Sequence, residues 1–168
     1  MLRFLVVSDS HGDIEIMSKI VSRYRESCTH FYHLGDSEVS PFLIDSMFLG
    51  VRGNCDLWYG LPLTRDIPFR FGTVHLEHGN RTEGITPEYA DSLGCKLLLH
   101  GHTHRKRIER TPGENWTVNP GSLTRPRDGS LGSYLILDVD EETGEIIEYT
   151  FHMIDVFTGE EVENIKSI

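Results

Sequence analysis

The chain is short of cysteine, of net positive charge and of long apolar runs, and each shortage removes a class of function. Cysteine occurs at Cys28, Cys55 and Cys95. An odd, sparse set without repeated spacing does not make a disulfide framework and fits a reducing compartment. Lys and Arg number 16 against 26 Asp and Glu, a formal net charge of −10. A protein that tracks a long nucleic acid needs a basic surface, so long nucleic acid is not an expected partner. Small phosphate substrates stay open, because bound cations invert the local field. The opening MLRFLVVSDSHGD holds a four-residue apolar run before Ser8 and Asp9, too short for a signal peptide or a membrane span. The expected location is cytoplasmic, with no membrane partner. Internal repeats, low-complexity tracts and long linkers are also lacking. The 168 residues read as one domain, 1–168, large enough to hold a core without disulfides or a structural metal. A metal here is therefore expected to be catalytic.

What is present reads as alternating strands and helices. Leu2–Val7 is apolar apart from Arg3 and predicts a buried strand. Asp13 can cap a helix in which Met17, Ile20, Val21 and Tyr24 recur at helical spacing. Residues 31–34 and 47–51 predict two more short strands, ending at Gly35 and Gly53, and the alternation predicts a parallel sheet. Further on, residues 68–71 and 73–77 flank Gly72 as a hairpin, 86–93 suit a short helix, and 96–100 form an apolar strand. Three later strands are expected at 116–119, 133–140 and Ile146–Ile154, with Gly144 turning between the last two. The fold class is α/β, two packed sheets with helices outside.

The polar residues fall at strand ends. Asp9 and His11 follow the first strand, Asp36 the second after Gly35, and Asn54 the third after Gly53. His78 follows the hairpin strand beside Gly79, and His102 and His104 follow the strand at 96–100 after Gly101. Loops beyond the carboxyl ends of parallel strands converge on one crevice. Imidazole suits zinc, nickel, cobalt and iron, and carboxylate or amide oxygen suits magnesium and manganese. Seven such donors exceed what one ion takes from a protein. They suit two divalent metal ions per chain sharing a carboxylate, manganese first, with nickel, cobalt, iron or zinc as alternatives. Such pairs clamp the attacking and leaving oxygens of phosphoryl transfer and bring bound water to a pKa of about 7. Singly, a strand-end Asp is an ordinary turn or cap and a lone His an ordinary surface or core residue. Five strand ends with donors, four of them beside a glycine, are not explained by turns.

Read together, the segments are DSH at 9–11, GD at 35–36, GNCD at 53–56, HG at 78–79 and GHTH at 101–104. In order, they resemble the calcineurin-like metallophosphoesterase superfamily, and more narrowly its small bacterial and archaeal phosphodiesterases. NPGS at 119–122 and RPR at 125–127 resemble the same subgroup. The resemblance implies a four-layer α/β/β/α sandwich of two mixed sheets flanked by helices, with the site at one edge. It implies that Asp9, His11 and His104 hold one metal, that Asn54, His78 and His102 hold the other, and that Asp36 bridges them. It also implies hydrolysis of small phosphodiesters by a dimetal-activated hydroxide. Many superfamily members carry His directly after the ligating Asn, where this chain has Cys55, a weak hydrogen-bond donor with no cationic form. The missing imidazole weighs against a phosphomonoesterase, which gains most from an acid at an alkoxide leaving group. A scaffold on the same fold, as in a retromer subunit with an eroded metal site, is weighed against by seven competent ligands.

Asn54, Cys55 and Asp56 are the candidate catalytic residues. Cys55 either shapes the substrate pocket or simply packs, and Asp56 either orients a ligand or forms the turn. Arg127 is the candidate substrate-binding residue; it and Arg125 can meet a phosphate or be solvated charges around Pro126. His75, at odd spacing from His78 on a strand, faces away from it. His33 and His100 lie in apolar strands and read as core or supporting residues, and His30 and His152 have no motif context. Ser10 is not needed as a nucleophile. The oligomeric state is open, a homo-oligomer included.

Overall fold

The structure, a computed structural model, describes residues 1–57, 59–127, 129 and 131–166. Its elements run β1 (Leu2–Val7), α1 (Ile14–Tyr24), β2 (His30–His33), α2 (Pro41–Asp45), β3 (Leu49–Gly50), β4 (Thr64–Phe69), β5 (Gly72–Glu77), α3 (Pro87–Ser92), β6 (Leu97–Leu99), β7 (Lys106–Arg110), β8 (Trp116–Pro120), β9 (Gly132–Val139), β10 (Ile146–Ile154) and β11 (Glu161–Lys166). They form a sheet in the order β11-β10-β9-β1-β2-β3 and another in the order β4-β5-β6-β8-β7. Both are mixed: β1, β2 and β3 are parallel, as are β5, β6 and β8, and antiparallel strands complete each sheet.

Strand periodicity decides the layers. Successive side chains face opposite sides of a sheet, so β1 sends Phe4 and Val6 one way and Leu5 and Val7 the other. Phe4 and Val6 join Leu135, Leu137, Leu76, Leu97, Leu99 and Val118 in a core between the sheets. Leu5 and Val7 join Tyr134, Ile136 and the buried stripe Ile16, Met17, Ile20 and Val21 of α1. On the outer face of the second sheet, Leu98 packs with Ala90 of α3, Ile85 and Cys95. The order is helix, sheet, sheet, helix, the four-layer α/β/β/α sandwich expected. Each fully buried aliphatic or aromatic side chain contributes roughly 1.5–3 kcal/mol, and this core consists of side chains alone. Asp13 caps α1 by accepting from Ile16 N at 3.0 Å. Among the described residues no helix is long and apolar enough to cross a membrane.

Several boundaries differ from expectation. The third strand shrinks to two residues on a sheet edge, paired only with Tyr32 and His33. The hairpin turns at Arg70 and Phe71, and Gly72 begins the returning strand. The structure adds β7, β11 and the five-residue α2. In the β9–β10 turn Glu145 meets Lys96 at 2.5 Å and Arg110.

Candidate metal centre

Five loops leave the carboxyl ends of β1, β2, β3, β5 and β6 at one edge of the sandwich. Their backbone is unusual. Asp9, His11, Asp36, His102 and His104 all have φ between +43° and +72°. For an L-residue the left-handed region costs roughly 1–2 kcal/mol, less for Asp, and it persists where surrounding contacts enforce it. Those contacts are backbone hydrogen bonds between loops. Asp9 N donates to Gly35 O, His11 N to Asp36 O and Gly101 N to His78 O, each at 3.0 Å. The glycines permit the close approach. A methyl group at Gly53 would collide with Asp36 Oδ1, and one at Gly101 with Ser8 Oγ and Asp9 Oδ2.

The donor atoms are held and aimed. His78 Nδ1 lies 2.7 Å from Leu34 O, and His104 Nδ1 lies 2.6 Å from Arg125 O. A carbonyl only accepts, so each Nδ1 carries the hydrogen and each Nε2 faces the centre, the arrangement that orients metal-binding histidines. His78 Nε2 stands 3.1 Å from Asp36 Oδ2 and 3.8 Å from Asp9 Oδ1. His104 Nε2 stands 3.1 Å and His11 Nε2 4.0 Å from Asp9 Oδ1. Yet Asp9 Oδ1 and His78 Nε2 are buried without a hydrogen bond. Buried polar groups are rarely left so, and atoms that converge without bonding one another fit ligands around a shared cation. Two triads emerge, Asp9–His11–His104 and Asp9–Asp36–His78, each with its ligand atoms within 4.8 Å of one another. Asp9 belongs to both. The His102 ring lies 5.1 Å from that of His78, and its backbone N donates to Asp9 Oδ2 at 3.1 Å. Asn54 is exposed, at the rim.

The charge balance favours cations. Burial pushes the Asp9 carboxyl up, but contact with His104 and the charge of His78 bring it below the usual carboxylate range. Burial likewise opposes ionisation of Asp36, yet His78 and the Cys55 amide draw it down to about 2. Burial lowers His78, and the two carboxylates more than offset it. Two ionised carboxylates among imidazoles thus form a site where positive charge is stabilised. Oxygen and nitrogen donors of this kind fit divalent transition ions.

Residues 2–142 match the model of the calcineurin-like phosphoesterase superfamily domain. The chain belongs to the calcineurin-like phosphoesterase superfamily. It is 30% identical to the probable metallophosphoesterase YsnB of Bacillus subtilis, over 99% of this chain and 98% of that one. It is 26% identical to the phosphodiesterase YfcE of Escherichia coli, over 83% and 89% of the two chains. Among solved structures, Vps29 of Chaetomium thermophilum shares the fold with a TM-score of 0.73 at 19% identity, over 99% of this chain and 98% of that one.

Around the donors of this phosphoesterase domain lie residues that fix the loops. The Asp56 carboxylate accepts the backbone N–H of Gly53 at 2.7 Å, Glu38 at 2.8 Å and Asp36 at 2.9 Å. It ties the Asp36 loop to the Asn54 loop. Cys55 N donates to Asp36 Oδ1 at 2.8 Å. Partial burial and the neighbouring Asp36 push the Cys55 thiol up to about 11, so it stays neutral. Two holders escaped sequence reading. Asn119 Nδ2 donates to Gly101 O and Thr103 Oγ1 at 3.1 Å, and Ser122 Oγ donates to Asp9 O at 2.8 Å. The NPGS segment that contains them was the available signal. His33 is wholly buried, pushed down to about 4 by burial, and bonds Ser10 Oγ at 2.8 Å. His75 turns away from the centre to Asp66 and Glu77. Arg125 and Arg127 line a 670 Å³ pocket with Asp36, Asn54, Cys55 and His104.

Proposed function

We propose that the protein is a metal-dependent phosphodiesterase that hydrolyses small phosphodiesters at a centre of two divalent ions, manganese first, with nickel, cobalt, iron or zinc as alternatives. The observation that carries this is the pair of buried, unbonded donor atoms, Asp9 Oδ1 and His78 Nε2, within a cluster of carboxylates and imidazoles. An unsatisfied buried polar atom costs about 1–3 kcal/mol, and a shared cation removes that cost. Asp9, His11 and His104 would hold one ion, Asn54, His78 and His102 the other, with Asp36 between them. The triad Asp9–His11–His104 supports the first grouping; Asp9, common to both triads, competes with Asp36 for the shared position. When bound, the ions supply the Lewis-acid charge that activates water and stabilises the departing oxygen.

The side chains of this protein do the rest. Leu34 and Arg125 carbonyls fix the tautomers that expose Nε2 of His78 and His104. Asn54 and Cys55 line the pocket over Asp36, Asp56 keeps their loop in register, and Arg127 on the facing wall binds substrate oxygens. Cys55 has no cationic form and offers little acid assistance, so good leaving groups are favoured. The superfamily membership and the names of YsnB and YfcE support the same activity. Three free cysteines support action in the reducing cytoplasm. A scaffold on the same fold is the second reading; likeness to Vps29 reaches the fold alone, and strained, unbonded donors favour the enzyme. The test reloads metal-free protein with manganese, nickel, cobalt, zinc or magnesium and assays bis(p-nitrophenyl) phosphate against p-nitrophenyl phosphate. Activity should return with a transition metal, with the higher kcat/KM on the diester. No turnover with any metal, or preference for the monoester, overturns the proposal.

A further inference from the structure

Five of the twelve arginines of this acidic chain are paired with carboxylates. Arg3 pairs with Asp138, Arg23 with Glu161, Arg70 with Glu142, Arg107 with Glu109 and Arg110 with Glu145. Arg65 donates to Gly50 O, and Arg52 lies over the Tyr59 ring. Arg105, Arg125 and Arg127 behave otherwise. All three are exposed, all three line the pocket over the candidate metal centre, and among the described residues none has a side-chain hydrogen bond or ion pair. A cluster of like charges in a cleft concentrates ligands of the other sign. Here three guanidinium groups gather in a pocket whose lining also includes Asp36, in a chain of net charge −10.

The heads are free but their backbone is held. Arg125 N donates to Ser122 Oγ at 2.8 Å, Arg125 O receives His104 Nδ1 at 2.6 Å, and Arg127 N donates to His104 O at 3.2 Å. Pro126 fixes φ between the two arginines, and Arg105 directly follows His104. Three guanidinium groups therefore start from a frame fastened to a candidate ligand. The 670 Å³ of the pocket lies within the about 300–1,000 Å³ that enclose a drug-sized ligand, so it takes much more than the reacting phosphate.

We propose that Arg105, Arg125 and Arg127 form a second anion subsite, and that the substrate is a phosphodiester bearing a further phosphate group. This rests on the phosphodiesterase reading above. A terminal phosphate offers three acceptor oxygens and a charge near −2, and guanidinium forks match it in pairs. The reaction itself is unchanged. Water adds to the diester phosphorus, one P–O ester bond breaks, the departing alcohol or phenol oxygen ends with a proton from that water, and the second phosphate is untouched.

Two p-nitrophenyl esters of thymidine 5′-phosphate test it, one with a free 3′-hydroxyl and one with a 3′-phosphate. They share the scissile bond and leaving group and differ in the second anion. In the manganese-loaded protein, kcat/KM is expected to be about tenfold higher for the 3′-phosphorylated ester, mainly through KM. The advantage should shrink as salt is raised, because the arginines are exposed. Arg105→Gln and Arg125→Gln should each cut it, and the double variant should abolish it. Arg25→Gln, an exposed arginine outside the pocket, should keep it. Equal kcat/KM on the two esters in the wild type, or an advantage that survives the double variant, overturns the subsite. If neither ester is hydrolysed, the phosphodiesterase reading fails separately, and calorimetry on metal-free protein decides the subsite. Thymidine 3′,5′-bisphosphate binding about tenfold tighter than thymidine 5′-phosphate, with the difference lost in the double variant, supports it; equal binding overturns it.

Discussion

At the scale of single residues, the centre rests on carboxylates whose two oxygens have different tasks. Asp9 Oδ2 accepts from Ser8 Oγ at 2.6 Å and His102 N at 3.1 Å, which leaves Oδ1 unbonded. Asp36 Oδ1 accepts from Cys55 N, which leaves Oδ2 beside His78 Nε2. One oxygen fixes the side chain, and the other is available. Asp36→Asn keeps the shape but halves the set of anions at the centre, and it should lower kcat/KM by about 10²–10³-fold. His11→Asn removes one imidazole and leaves both carboxylates, and it should cost less. Circular dichroism should show both variants folded. Wild-type turnover in Asp36→Asn would remove it from the bridging position. Cys55 tests the leaving group. Its neutral thiol sits where an imidazole would lend a proton, so Cys55→His should narrow the preference for an aryl diester over the matching monoester. Cys55→Ser should change that ratio little. Steady-state kinetics on the two esters with all three proteins measure it; an unchanged ratio in Cys55→His leaves Cys55 as packing.

At the scale of elements, strands deliver donors and loops hold them. Asp56 accepts three backbone N–H groups from two loops. Asp56→Ala leaves those donors to water and should destabilise the fold by about 2–4 kcal/mol, and it should weaken metal binding by about 10–100-fold. Urea denaturation and metal titration read the two effects; an unaltered metal affinity would confine Asp56 to the turn. A second brace joins β4, β5 and α3. His75 lies between Asp66 at 2.7 Å and Glu77 at 3.0 Å, and Tyr89 donates to Glu77 at 2.6 Å. Burial lowers His75, but Glu77 and Asp66 raise it above 6.5; burial raises Glu77, but His75 and Tyr89 bring it below 4.5. The raised His75 stabilises the fold below its ordinary value, and that contribution is lost as pH rises through the folded value. The lowered Glu77 stabilises above its ordinary value and loses the effect as pH falls. The stability lost in His75→Gln should therefore be largest at pH 4.5–6.5 and smaller at both pH 3 and pH 9. A pH-independent loss would reject the charged pair. Legibility follows from the same division of labour. β1 and β9 were readable because burial on both faces makes LRFLVV and GSYLILDV largely apolar runs, and α1 because burial of one face imposes a helical period on IEIMSKIVSRY. β11 is exposed along its whole length and β7 is an edge strand with two exposed residues, so neither carries a clear apolar period. α2 has five residues, too few for a period to show.

At the scale of the whole molecule, the centre and the core are separate. The donors sit on loops beyond the strand ends, while the cores between and outside the sheets are built from apolar side chains. That donor side chains from five loops meet at one edge was legible, because parallel strands point their carboxyl ends the same way. The residues that fasten them were not. Ser122 reaches Asp9 across 113 positions and Asn119 reaches Gly101 across 18, and side-chain hydrogen bonds to backbone carbonyls of that kind leave no spacing in the sequence. The separation has a thermal consequence. Metal-free protein should unfold in one cooperative transition, since its core lacks nothing. Its centre, however, holds ionised Asp9 and Asp36 beside unbonded donors in left-handed loops, and this arrangement exists only in the folded chain. Manganese that binds the folded state alone should stabilise it by about 2.7 kcal/mol at a hundred times Kd. For a chain of this size that raises Tm by roughly 5–10 °C. Asp9→Asn and Asp36→Asn leave the core intact but remove carboxylates that His78 and its neighbours hold ionised, so their metal-free Tm should fall modestly at neutral pH while the manganese shift shrinks. Calorimetric scans of the three proteins with and without manganese measure both quantities. A metal-free chain with no cooperative transition would make the ions structural. A manganese shift undiminished in both variants would move the binding site away from these five loops.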